Sequence, residues 1–408
     1  MYKFRPFVFE KHEPASVKKP KGRSGHRIAC DGKYMYSFGG FNPGVSVNDP
    51  DMLDNPNWAY SIPLLREMWR MNLVTNRWQR LPNLENIPNE VASNAMILVD
   101  NALIIYGGTG VPFGYSCSNQ LYVYNIDNKK MWRVPAKGQL PKPQYGQALI
   151  YHNPYLYTVG GTSGSEYSCD IHRLNIKTHV WEAVYICRGR DPAEPSGRYR
   201  HELAFDGTFI YILGGGTSEE SYGFYKIPAF DIEKNKWVTL NTKGDCYDES
   251  YPEARRCHGC VQHTDQETGV TSVIISGGYN GDTIFSDVWK LDVSHLQWTC
   301  LRTCVLPRPV YFQSAALSKE GCMYTFGGIV KTNNNEFERT DDVHSTWLVI
   351  PKLSEICLQA LSFYYLKMWN KSREELLELG IPLRFVERIE HNKDLSSTKL
   401  NFRLPGAT

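Results

Sequence analysis

Apolar residues gather along this chain into short runs, and six of these runs end in a pair of glycines. The runs are Tyr34–Phe38, Leu103–Tyr106, Tyr155–Val159, Phe209–Leu213, Val273–Ser276 and Met323–Phe326. The pairs that close them are Gly39-Gly40, Gly107-Gly108, Gly160-Gly161, Gly214-Gly215, Gly277-Gly278 and Gly327-Gly328. A β-branched and aromatic run of this length predicts a buried strand. Two glycines at its end permit positive φ and close backbone packing, so the chain can leave the strand sharply. After five of the pairs, roughly twenty to forty residues on, one tryptophan stands among polar residues: Trp78, Trp132, Trp181, Trp237 and Trp298. Each is expected on a later strand of its unit, filling the gap to a neighbouring sheet.

Polar positions repeat as well. An Arg-x-x-His lead-in precedes three of the runs, as Arg23–His26, Arg198–His201 and Arg255–His258. It degrades to Gln144–Gln147 and Pro309–Phe312 in two others. One small sheet cannot bury both its faces, and radial stacking of several such units solves that problem. A unit of this content recurring six times predicts an all-β chain folded as a six-bladed β-propeller. The repeat resembles the kelch motif, with its diglycine after the second strand and its tryptophan on the fourth, over roughly residues 20–350. The sixth unit has a third strand near Asp342–His344 but no fourth before a different pattern begins at Pro351. The N-terminal segment Tyr2–Phe9 is expected to supply it, with Phe4 or Phe7 in the tryptophan place. Phe4 precedes His26 by 22 residues, much as Trp181 precedes His201 by 20 and Trp237 precedes His258 by 21. Such a closure removes a loose sheet edge.

From Pro351 the hydrophobic period becomes helical. Leu353, Ile356, Cys357, Ala360, Leu361 and Tyr364 share one helix face. Asn370-Lys371 interrupts it, Ser372 and Glu375 offer a capping box, Gly380 a C-cap, and Pro382 the first turn of a third helix, Leu383–Ile389. Three short amphipathic helices hold too little apolar surface to stand alone. The expected organisation is therefore a propeller at 1–350, a helical segment at 351–392 and a flexible tail at 393–408.

Leu353-x-x-x-Cys357-x-x-x-Leu361 is similar to a BC box, the helix by which ubiquitin-ligase receptors dock on elongin C. Lys352 stands where that pattern usually has Thr, Ser or Pro, with Pro351 one residue earlier. Ile381-Pro382-x-x-Phe385-x-x-x-Ile389 is similar to the cullin-2 box that follows it, and the Ile-Pro pair favours cullin 2 over cullin 5. A kelch propeller followed by both boxes resembles the kelch-repeat substrate receptors of cullin-2 ubiquitin ligases. The resemblance implies contacts to elongin C through Leu353, Ile356, Cys357 and Leu361. It implies contacts to cullin 2 through Ile381, Pro382, Phe385 and Ile389. The implied partners are elongin B, elongin C, and cullin 2 with its RING subunit. The implied role is recruitment of substrates by their free C-terminal ends, with small terminal residues such as Gly or Ala, for ubiquitination and degradation. Transfer is left to the ligase core, so no catalytic residue is expected in this chain.

A terminal carboxylate needs a fixed fork of cationic donors, best supplied by Arg, and aromatic walls to exclude water. In a propeller, loops entering the first strand and loops leaving the diglycine share one face. On that face the expected substrate-binding residues are Arg200, Arg256, Tyr145, Tyr199, Tyr279, Asn280, Tyr311 and Phe312. Related receptors place an Arg pair directly after a diglycine, where this chain has Gly216, Thr217 and Ser218, so the anion site falls on Arg200 and Arg256 instead. Either Arg can equally pair with an acid of a neighbouring blade. The insertion Phe41–Leu65, with Asp49, Asp51, Asp54, Trp58 and Tyr60, lies on the same face as either a lid or surface decoration.

Composition narrows the remaining options. A net charge of +2 over 408 residues argues against a nucleic-acid or anionic-membrane surface. No stretch reaches transmembrane length, and the first residues lack the apolar core of a signal peptide. Eleven cysteines at irregular spacing read as reduced thiols, which places the chain in the cytoplasm, with the nucleus also open. Cys257-His258-Gly259-Cys260 has no second Cys/His pair at finger spacing, and neither metal nor cofactor is expected. His26, His201 and His258 occupy repeat positions and read as structural hydrogen-bonders. The alternative function is a kelch scaffold in signalling or cytoskeletal assembly, its tail a brace on the propeller; elongin C co-purification separates the two.

Overall fold

The computed structural model describes residues 1–389 apart from 54, 56, 57, 82, 83, 85 and 266. Asp54, the end of the helical segment at 390–392 and the tail expected at 393–408 lie outside the described residues. The chain falls into two compact units. One is Phe4–Pro351; the other groups Met1–Lys3 with the chain from Lys352.

In the larger unit, the strands among the described residues form six sheets of four or five strands and one small sheet of three. The first sheet is typical: Arg27–Cys30, Tyr34–Phe38, Met68–Asn72 and Trp78–Arg80 pair in chain order, antiparallel throughout. The first strands of the six sheets touch in cyclic order: Arg27–Cys30, Ala95–Val99, Ala148–His152, Glu202–Phe205, Gly259–Thr264, Ser314–Leu317, and back to the first. The hydrophobic core lies between neighbouring sheets. One cluster joins Phe38 to Leu103 and Ile105, and another joins Met35 and Trp69 of the first sheet to Tyr324 and Phe326 of the last.

Each repeated polar position has a recurring partner. Arg23, Arg198 and Arg255 each donate from Nη1 to the carbonyl of their own diglycine, Gly39, Gly214 and Gly277, at 3.0–3.1 Å. His26 and His201 donate from Nε2 to the preceding sheet, at Phe326 O and Val159 O. Gln147 and Gln313 do the same to Tyr106 O and Ser276 O. The last lead-in is therefore Val310–Gln313, one residue later than the sequence reading placed it. The diglycines are sterically required. A Cβ at Gly277, where φ is +59, would stand 2.5 Å from Val310 O.

The hairpin between third and fourth strands closes the same way five times. Asn72, Asn125, Asn175, Asp231 and Asp292 each accept two amides from the following turn. Four residues on comes a residue at positive φ, namely Asn76, Lys129, His179, Asn235 and Leu296. Two further on comes the gap-filling side chain. Trp78, Trp181 and Trp298 pack there on Phe326, Tyr106 and Phe224 of neighbouring units, at 5.2–5.4 Å. In the second unit the turn delivers Met131 to that place, opposite Tyr124, and Trp132 lands on the other face, half-buried. Trp132 still fills a gap from the fourth strand, but toward the third sheet and not the first, because a shift of one residue along a strand reverses its side.

The last sheet is closed by the N-terminal segment, but with a later strand than expected. Glu10–His12 pairs antiparallel with Val343–Trp347. The expected strand Tyr2–Phe9 is broken by a turn at Pro6-Phe7, where Phe7 has φ +59. Phe4 still packs on Trp347, at 6.2 Å. The insertion after the first diglycine is folded on its own small core of Met52, Trp58 and Leu65, with helix α1 at Trp58–Ser61.

The smaller unit contains helices α2 (Leu353–Tyr364), α3 (Arg373–Glu378) and α4 (Leu383–Ile389), with a 3-10 turn at Leu366–Asn370. The capping box forms in full, with Glu375 N donating to Ser372 Oγ and Ser372 N to Glu375 Oε2. Gly380, at φ +79, ends α3: its amide donates to Leu377 O and that of Ile381 to Leu376 O. Arg388 ties α4 to α2 by two bonds to Glu355, at 2.7 and 2.8 Å. Tyr2 belongs here, against the expected boundary, because its hydroxyl donates to Gln359 and its ring meets Phe363 at 5.8 Å.

Candidate functional site

Each lead-in pairs laterally with the residue that follows its diglycine. The pairs are Ser24 with Phe41, Ala92 with Thr109, Tyr145 with Thr162, Tyr199 with Gly216, Arg256 with Tyr279, and Tyr311 with Ile329. These loops therefore do share one face. The next residue of each lead-in sits at positive φ: Gly25, Ser93, Gly146, Arg200, Cys257 and Phe312. Their backbones are linked in series around the axis, Ser93 N to Gly25 O, Gly146 N to Ser93 O, Arg200 N to Gly146 O, Cys257 N to Arg200 O, and Phe312 N to Cys257 O. Left-handed backbone is strained for a side chain as large as Arg or Phe, by about 1–2 kcal/mol. Strain of this kind clusters at functional sites.

Arg200 is 4% exposed. Its guanidinium lies 4.7 Å over the Phe312 ring, and Nη2 donates to Ser93 Oγ across the axis. Nε is buried without a hydrogen-bond partner. Burial, and then repulsion from Arg27, lower its pKa to about 10, so it stays charged near neutrality. Arg256, 8% exposed, donates to Ser221 Oγ at 2.7 Å and stacks 5.6 Å from Tyr279. Among the described residues no carboxylate pairs with either, in contrast to Arg23 with Glu67 and Arg255 with Asp287. A buried cation without its anion carries an uncompensated desolvation cost.

The aromatic residues fall into two groups. Tyr145, Tyr199 and Tyr167 pack in sequence, at 6.2 and 5.5 Å. Tyr279, Tyr311 and Phe312 pack at 5.0 and 5.5 Å. All are half-buried. Burial raises the hydroxyl pKa of Tyr145, Tyr199 and Tyr311, keeping them neutral donors. Asn280 uses its oxygen on its own turn, accepting from the amides of Asp282 and Thr283. Cys257 is buried at the axis and its thiol is pushed up to about 12 by burial, which makes it inert. Ser93 and Arg339 were not legible as site residues. Ser93 sits in a lead-in, Val91–Asn94, that has neither Arg nor His. Arg339 lies on the strand Phe337–Arg339, beside Ile329 and so two strands out from Tyr311.

The helical unit carries a separate feature, an apolar groove of about 1140 Å³. Leu353, Cys357 and Leu361 of α2 line it together with Ile381, Pro382 and Phe385. Leu353 is 73% exposed and Cys357 is exposed too. Ile356 is half-buried and does not line the groove. Of the four residues expected to meet cullin 2, Ile381, Phe385 and Ile389 are buried and only Pro382 is exposed. A buried side chain supports the fold of its segment before it can touch a partner.

Among the described residues no group of three His, Cys, Asp or Glu side chains could hold a metal. The KLHDC2/KLHL20/DRC7 Kelch-repeats domain matches residues 61–271 and 191–360. Kelch domain-containing protein 10 homolog of Drosophila melanogaster is 41% identical over 95% of the chain, which spans 66% of that protein's length. Kelch domain-containing protein 10 of Homo sapiens is 39% identical over 91% of the chain and 80% of its own. Human kelch domain-containing protein 3 is 25% identical over 68% of the chain and 69% of its own.

Proposed function

We propose, from the premise that the chain belongs to the kelch-repeat family of kelch domain-containing protein 10, that it is a substrate-recognition subunit of an elongin B/C–cullin-2 RING ubiquitin ligase and that its kelch unit binds the free C-terminal ends of proteins. The observation that carries the second half is Arg200, a buried axial guanidinium with an unpartnered Nε and, among the described residues, no carboxylate in an ion pair with it; Glu202 nearby is taken by Arg27. A terminal carboxylate supplies the missing charge. Phe312 backs the guanidinium from behind, and the two tyrosine groups flank the way in. Such a pocket favours small terminal residues, because the ring of backbone around the carboxylate leaves little room for a large side chain. The first half is supported by the groove on the helical unit, where Leu353, Cys357 and Leu361 present an unpartnered apolar row at helical spacing. The chain contributes proximity and leaves the chemistry to the ligase core.

Fluorescence polarisation of an Ala-ended peptide, as free acid and as amide, tests the pocket. The amide keeps the shape and removes the charge. The free acid should bind tens-fold tighter, and Arg200→Gln should erase that difference, since a desolvated charge left unpaired costs roughly 2–5 kcal/mol. Equal binding of the two forms by the wild type defeats the peptide-end reading and favours a scaffold. Failure of elongin C to co-purify defeats the ligase half.

A further inference from the structure

We infer that Arg339 reads a second anion on the same ligand, an acidic side chain a few residues before the free carboxylate; this rests on the peptide-end reading above. Arg339 is reached from the axis in a short series. Phe312 lies under Arg200, Tyr311 packs on Phe312 at 5.5 Å, and Tyr311, Ile329 and Arg339 are lateral partners on three adjacent strands. Lateral partners project from the same side of a sheet, and two strand spacings carry Arg339 roughly 10 Å outward from Tyr311. An extended peptide advances roughly 3.3 Å per residue, so Arg339 addresses a position about three residues upstream of the end.

Arg339 is also chemically open. Its Nε is buried without a hydrogen-bond partner, and its guanidinium lies 5.3 Å over Phe41, which keeps water from one face. Four acids stand within three residues of it; Glu336, on the exposed turn before the strand, pairs with no cation among the described residues, and the other three are each held by a cation other than Arg339. Glu338, on the opposite side of the strand, is met by Arg308 at 3.5 Å; Asp341 by Lys19 at 2.9 Å; Asp342 by Lys11 at 3.0 Å and Arg308 at 3.2 Å. Arg256 is less suited to this task. Its Nη1 and Nη2 are already engaged by Ser221 Oγ and Ser218 O. The two Nη atoms of Arg339 make no hydrogen bond or ion pair among the described residues, so they offer the two parallel donors that a carboxylate takes.

The experiment uses the whole chain and a labelled Ala-ended peptide. A single Glu is moved from one to five positions before the last residue, each peptide made as free acid and as amide. Wild type should gain roughly three- to tenfold in affinity with Glu near the third position, with the gain shrinking as salt rises. Arg339→Gln should lose that gain while binding the neutral peptide as wild type does, which also shows that the variant is folded. Arg339→Lys should restore part of it. No gain at any position, or a gain that survives Arg339→Gln, overturns the inference while leaving the peptide-end reading intact if free acid still outbinds amide. Loss of the acid–amide difference itself removes both.

Discussion

At the residue scale, each kelch unit reuses a few polar positions, and the exceptions among them point to function. Arg at the lead-in holds the diglycine carbonyl, so its charge is spent on the fold. Arg200 and Arg339 lie outside that pattern, and their charges are not spent. Arg200 stood out in the sequence because it lies between Arg198 and His201 of a full motif. Arg339 did not, because no periodic feature marks the strand it belongs to, and only the pairing of Tyr311, Ile329 and Arg339 brings it to the site. The lead-in histidines make a separate prediction. His201 and His258 are buried, and burial pulls each pKa down to about 3; His12 falls to about 4 and His26 well below its usual value. Below pH 6.5 the unfolded chain takes up protons at these sites while the native chain does not. Stability is therefore full above about pH 6.5 and declines as pH falls toward 3, by up to about 1.4 kcal/mol per pH unit for each histidine. Gln147 and Gln313 show that glutamine can make the same inter-sheet bond. His201→Gln should therefore fold and lose about 2 kcal/mol less than wild type between pH 7 and pH 5, measured by urea unfolding. Parallel pH curves for the two proteins would count against this account.

At the element scale, strands and helices were legible wherever a local pattern dictates them. The apolar runs before the diglycines, the capping box at Ser372 and the stop at Gly380 all stand where spacing put them. Register was less legible. Lys129, not the tryptophan, sets which residue turns inward in the second unit, and a positive φ at lysine leaves no mark in the sequence. Burial within the helical unit was illegible for a related reason. Phe385 and Ile389 share a helix face with Pro382, but a helix face does not say whether it meets its own segment or a partner. The structure separates the two groups and changes the expected mutational result. Leu353→Ala with Cys357→Ala removes exposed groove residues, so elongin C pull-down should fail while the circular dichroism and melting of the protein are preserved. Truncating a large apolar anchor in such an interface costs a few kcal/mol. Phe385→Ala instead opens a cavity at a side chain 4% exposed, at a cost of about 3–5 kcal/mol to that segment. It should lose elongin C and cullin 2 together. Loss of cullin 2 alone would show that Phe385 is a contact after all.

At the scale of the whole molecule, a ring of sheets has one weak place, where the last unit meets the first. Five backbone bonds run along the axial residues from Gly25 to Phe312. The join itself is held by His26 Nε2 to Phe326 O, Gly328 N to Arg23 O, Arg23 N to Thr340 O, and the cluster that packs Met35 and Trp69 against Tyr324 and Phe326. Outside these, Val343–Trp347 would be an open edge without Glu10–His12. The N-terminal segment does more than cover that edge. Phe7 N donates to Trp347 O, Phe4 packs on Trp347, and Phe7 and Phe9 pack against the cluster of Val261, Met323 and Leu348. His12 contacts Asn76 at 3.0 Å and Ser345 Oγ at 2.6 Å, so it bonds the first unit to the last across the join. Removing residues 4–12 should therefore loosen the ring as a whole. The three half-buried phenylalanines alone account for roughly 3–5 kcal/mol by buried apolar area. The deletion variant should melt well below wild type in calorimetry and, with its edge strand bare, form higher oligomers on size-exclusion chromatography. The axial site should suffer too, since Gly25 and Phe312 lie on opposite sides of the join, and Ala-ended peptide should bind more weakly at temperatures where the variant is still folded. A deletion variant that melts and binds as wild type does would mean that the join is held by the contacts of His26, Arg23 and the interior cluster, and that the N-terminal strand is only a cover.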